Sequence, residues 1–89
     1  MNKNRQINKE WVLYNLTEAH EQLEEIIKDI KENKDYLEGD LWGPMSHLYQ
    51  HINTAWNSRY ESKKKIDKST EKDHNKWASL PKQNELLPF

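Results

Sequence analysis

The stretch VLYNLTEAHEQLEEIIKDIKENKDYLEGDLWGPMSHL, Val12 to Leu48, decides the fold. Its apolar residues fall at Val12, Leu16, Ala19, Leu23, Ile26 and Ile30 and, past the polar Asn33, at Leu37. Alternating steps of four and three trace one face of an α-helix. Asn8 suits the amino-terminal cap and Gly39 the carboxyl-terminal stop, so helix 1 is predicted over about residues 8–38. A second series runs Leu41, Met45, Leu48, Ile52 and Ala55 in the same steps, with Asp40 as a cap and Gly43-Pro44 near the start. Helix 2 is predicted from about residue 41 to about residue 78, and helices joined by so short a link run antiparallel.

The remaining residues sharpen this reading. Leu13 and Ile27 widen the face of helix 1, while Trp42, Tyr49 and Trp56 recur every seventh residue along one flank of helix 2. A narrow pairing of the two seams leaves that flank wet, at a cost of several kcal/mol at about 25 cal/mol per Å². The expected remedy is a second copy of the chain. The fold class is therefore all-α: an antiparallel two-helix hairpin that dimerises into a four-helix bundle, with Leu13, Ile27, Trp42, Tyr49 and Trp56 at the interface. Residues 1–80 form a single helical-hairpin domain in this reading, and residues 81–89 a tail carrying Leu86, Leu87 and Phe89.

Composition narrows the function. With 34% hydrophobic and 33% charged residues in an 89-residue chain, the core is narrow and association helps to complete it. There is no cysteine, which excludes disulfides, thiolate nucleophiles and cysteine-based zinc fingers. MNKNRQINKEW lacks the apolar run of a signal peptide, and no segment approaches the roughly 20 apolar residues that span a bilayer, so a cytoplasmic protein without membrane contact is expected. Net charge is −1, with ten acidic against six basic residues up to Leu41 and five against eight thereafter. Segments of opposite charge suit mutual packing. The lysines of ESKKKIDKSTEKDHNK are interleaved with acids and unaccompanied by stacking aromatics, which reads as a charged helical face and not as a nucleic-acid site.

One cluster invites a chemical reading. His47 and His51 are four residues apart and so share a helical face, and pairing around Gly39 makes opposing residue numbers add to about 76–80, which sets His51 across from Asp29. Imidazoles at this spacing with a carboxylate opposite suit a divalent metal such as zinc, with His47, His51 and Asp29, and Glu32 nearby, as the ligands. His20 falls on the other flank, offset by about 10 Å along the axis, and does not join them. In the plainer reading His51 hydrogen-bonds Asp29 and His47 is solvated. Glu21, Glu24 and Glu25 make a solvated acidic face. No nucleophile, base and carboxylate share a suitable spacing and no glycine-rich phosphate loop exists, so no catalytic residue is assigned. The function expected is a non-enzymatic protein–protein interaction module, acting on itself as a homodimer and on another protein, with no cofactor; the alternative is a metal- or small-molecule-binding bundle centred on the histidine pair.

Overall fold

A computed structural model describes residues 5–79, and every regular element among them is helical: α1 (Lys9–Glu32), α2 (Glu38–Asn57), α3 (Lys63–Asp67) and α4 (Glu71–Ala78). The all-α reading holds, but two long helices have become four. The tail of residues 81–89 lies outside the described residues.

Side chains account for each boundary. Asn8 caps α1 as expected, its Oδ1 accepting from the Trp11 amide at 3.1 Å. α1 then ends at Glu32, short of the expected 38, because Asn33 leaves the helical conformation and its Oδ1 accepts from the Asp35 amide at 2.9 Å. Such a local side-chain bond offers the backbone an alternative to the helix. α2 begins at Glu38, and Asp40 Oδ2 reaches back to accept from the Leu37 amide at 3.0 Å. Pro44 consequently sits inside the helix and not at its first turn. Lacking an N–H, it cannot bond the Asp40 carbonyl four residues earlier, and the Tyr36 hydroxyl donates to that carbonyl instead at 3.2 Å.

The largest departure is at Ser58, where α2 stops. Ser58 is 1% exposed; its Oγ donates to the Thr54 carbonyl at 2.5 Å and accepts from the Trp11 indole at 2.7 Å. Beside it, the Asn8 amide donates to the Arg59 carbonyl at 2.7 Å and the Asn8 side chain to the Glu61 carbonyl at 2.9 Å. The start of α1 is thus clasped to the exit of α2. Ser62 caps α3, and Thr70 with Asp73 forms a reciprocal capping box on α4. α4 returns onto α2, whose Asn53 donates to the Ala78 carbonyl at 2.9 Å and whose Asn57 donates to those of Trp77 at 2.7 Å and Ser79 at 2.6 Å. Trp77 is buried edge-on against Trp11, ring centroids 6.3 Å apart.

α1 and α2 run antiparallel: Trp11 meets Ser58, Asn15 meets His51 and Gln22 meets His47, pairs whose numbers add to 66–69. That total is twice the residue number at the centre of the turn, and the turn is centred near Lys34 and Asp35 rather than Gly39. The expected register is corrected by about ten residues, roughly 15 Å of helix. The expected seam also turns. Ala19 and Ile26 do pack on Leu48, with Leu41 and Met45 beside them, but Leu16, Leu23 and Ile30 are 45%, 43% and 48% exposed. Trp11, Asn15 and Gln22 occupy the contact in their place, because Ser58, His51 and His47 supply polar partners there.

Asn57→Ala removes both bonds to the last carbonyls of α4 and is expected to cost about 1–3 kcal/mol in urea unfolding. Trp77 emission moves to the red and amide exchange in α4 accelerates, whereas Lys72→Ala on the exposed side of α4 leaves all three measurements unchanged.

Candidate functional site

The described residues offer two surfaces on opposite sides of the α1–α2 pair. The first is a cleft of about 360 Å³ where His47 and His51 of α2, Trp11, Tyr14 and Asn15 of α1, and His74 of α4 converge. The rings of His47 and His51 lie 4.7 Å apart at 55°. His47 Nδ1 is 2.8 Å from Gln22 Oε1, and His51 Nδ1 is 3.5 Å from Asn15 Oδ1, a long contact. An amide oxygen only accepts, so in the 2.8 Å contact the neutral His47 ring carries its proton on Nδ1 and keeps its lone pair on Nε2. Trp11 and Tyr14 stack on one another, centroids 5.8 Å apart, as one wall. Opposite them, Ser69 gives its hydroxyl proton to the Ile66 carbonyl at 2.6 Å and so accepts from His74 Nε2 at 3.0 Å. Partial burial, and then the neighbouring His47, hold the His51 pKa below its ordinary value, against an upward pull from Glu18.

Asp29 does not join this cleft. It lies about 21 Å along α1 from Asn15, at 1.5 Å per residue, beside Tyr36 and Asp40 in an acidic recess next to the turn. There partial burial, then the charges of Asp29 and Asp40, raise the Tyr36 phenol above its ordinary value. The ten-residue register shift is the physical reason, and it corrects the approach of Asp29 to His51. His20 bonds Glu24 on its own helix at 3.0 Å. Among the described residues no three histidine, aspartate or glutamate side chains come together to hold a metal ion.

The second surface is apolar. At about 100° per residue, Leu16, Leu23, Ile27 and Ile30 fall in a sector of about 60° on α1, and Ile52 and Tyr49 in a similar sector on α2. Both sectors are advanced in the same sense from the α1–α2 contact line. Because the helices run in opposite directions, a common sense of advance places them on one side of the pair. Trp11, Gln22, His47 and His51 are set back from the line and face the other way.

The expected interface residues divide. Leu13, Ile27 and Tyr49 are exposed beside this apolar side. Trp42 is exposed too, and with Tyr49 it lines a groove that runs along α2 to Ala78 and Ser79 of α4. Trp56 is half-buried under the Arg59 guanidinium, 3.7 Å from its ring, and its indole N–H is buried with no acceptor among the described residues.

Neither a protein-family model, nor a curated protein, nor a solved structure matches the chain. No helix among the described residues is long and apolar enough to cross a membrane.

Sequence reasoning missed Trp11, Asn15, Gln22 and His74 as cleft residues. Asn15 carried a signal, a short polar side chain inside the apolar series of α1. His74 reaches the cleft only because the chain turns at Ser58.

His51 leads to a pH dependence of stability. Its folded-state pKa lies below the ordinary 6.5, so the unfolded chain binds more protons as pH falls. Its contribution is complete above about pH 6.5 and is lost as pH drops through that value toward the folded pKa. The groups facing it are His47 on its own helix, Glu18 and Tyr14 from α1, and His74 from α4. Urea unfolding between pH 7.5 and 5 is expected to give a falling midpoint, with a shallower slope in His51→Gln. Asp73, whose pKa is held down first by the Thr70 amide, loses its contribution only below its ordinary 3.8 and does not enter that window.

Proposed function

We propose that this chain is a small interaction protein that works as a homodimer, in which the α1–α2 hairpin packs against that of a second copy as a four-helix bundle. The observation that carries the reading is the apolar side of the pair. Leu16, Leu23, Ile27, Ile30 and Ile52 are each 43–48% exposed and lie together on it. Contiguous apolar surface of this extent marks association sites, since isolated chains rarely leave it in water.

A second copy is the occupant best suited to it. A two-helix layer with one apolar side needs two further helices to close a core, and an identical layer related by a two-fold axis supplies them with a self-complementary pattern. The small internal core supports the same reading, because a chain that buries little alone gains proportionately more by pairing. Leu13, Tyr49 and Trp42 flank this side and extend the contact or receive another protein beside it.

Sedimentation of the full chain at about 100 μM is expected to give the mass of two copies. Leu23→Asp with Ile30→Asp places carboxylates at the centre of the apolar side and weakens self-association at least about tenfold, several kcal/mol of desolvation being more than the face supplies there. The helical circular dichroism of the doubly substituted chain stays within the native range, since both positions are half-exposed in one copy. A wild-type chain that sediments as a monomer at that concentration rejects the proposal.

A further inference from the structure

We propose that His47 and His51 form a two-imidazole site for a divalent late transition-metal ion, copper(II) or zinc(II), bound through their Nε2 atoms in the cleft facing Trp11 and His74. Three observations on the page converge on it. The rings are one helical turn apart with centroids 4.7 Å from each other, the spacing of an i, i+4 histidine pair on one helical face. The Nδ1 positions are engaged by amide oxygens of α1, Gln22 at 2.8 Å and Asn15 at 3.5 Å. The shorter contact sets the His47 proton on Nδ1 and presents its Nε2 as the donor, the arrangement by which outer hydrogen-bond partners orient metal-ligating histidines. Finally, the pair borders an open cleft of about 360 Å³ that admits an ion with its remaining waters.

The donor set selects the metal. Two neutral imidazoles with no carboxylate suit copper(II), nickel(II) and zinc(II), with copper the tightest, and are unsuited to calcium or magnesium, which require oxygen ligands. With two ligands from the chain and no third among the described residues, water completes the coordination and the ion exchanges readily. The site differs from the zinc set expected from the sequence, since Asp29 is at the far end of α1, and it lies on the side of the helix pair away from the proposed dimer face.

The test uses the full chain without a histidine tag. Calorimetric titration with copper(II) or zinc(II) is expected to saturate at one ion per chain, and a tenfold excess over the dissociation constant raises the thermal midpoint by about 6–11 °C. Magnesium does neither. The copper complex shows the hyperfine pattern of two imidazole nitrogens in electron paramagnetic resonance. His47→Ala, at an exposed position, and His51→Ala each remove saturable binding, whereas His20→Ala leaves it unchanged. Gln22→Ala weakens it about tenfold and Gln22→Glu, which keeps the acceptor, restores it. Copper binding of unchanged affinity in the chain lacking both histidines, or no saturable binding in the wild type, overturns the site. A monomeric result in sedimentation leaves it standing, because the two surfaces are separate.

Discussion

The hydrogen bond from the Trp11 indole to Ser58 is the constraint around which the described structure is arranged. Ser58 has one hydroxyl proton and gives it to the Thr54 carbonyl, so its oxygen is left to accept, and Trp11 supplies the donor. Removing Ser58 leaves the Trp11 indole without its acceptor, and removing Trp11 leaves the buried Ser58 oxygen without its donor. With both in place, α2 ends, the chain turns, and the amino-terminal cap Asn8 holds the Arg59 and Glu61 carbonyls of the turn. α3 and α4 lie where they do because of this bend, and Trp77 reaches Trp11 only as its consequence.

Buried polar groups therefore specify this fold at least as much as its apolar core. The buried hydrophobic residues are Ala19, Ile26, Leu48, Ala55 and Trp77, two of them alanines, while Asn15, Asn53 and Ser58 are buried alongside. Asn53 is satisfied by α4, Ser58 by α1 and its own helix, and Asn15 donates to the Trp11 carbonyl at 3.1 Å. Apolar contacts tolerate sliding by a turn, but the bonds that cross between α1 and α2, Trp11 to Ser58 and His47 to Gln22, do not, which explains why the more apolar seam of α1 is turned outward. The greasy side that results is the one assigned above to a second copy.

Much of the helical content was legible in the sequence: the period of Val12 to Ile30, the cap at Asn8 and the apolar series of α2 all correspond to observed helix. The turn was misplaced by about five residues because Asn33 read as a polar interruption, when its side chain diverts the backbone. In an antiparallel pair such an error doubles across the register, which is why Asp29 was set against His51 and lies instead with Tyr36 and Asp40. Thr70 and Asp73 spell a capping box that was readable but submerged in a run of charges. Asn53, Asn57 and Ser58 are poor helix formers, and propensity does not account for them at the end of α2. Their amides and hydroxyl instead bond carbonyls of α4 and of α2 itself, partners that no local pattern reveals.

The spacing of these bonds along the chain also orders the assembly of the fold. Asn57 and Asn53 meet α4 across 20 and 25 residues, whereas Trp11 and Asn8 meet the turn after α2 across 47 and 53. Loop-closure entropy grows with the logarithm of that length, so the longer closure costs about 0.7 kcal/mol more. The carboxyl-terminal half is thereby favoured to close on itself first and to present Ser58 and Trp77 as a prepared seat.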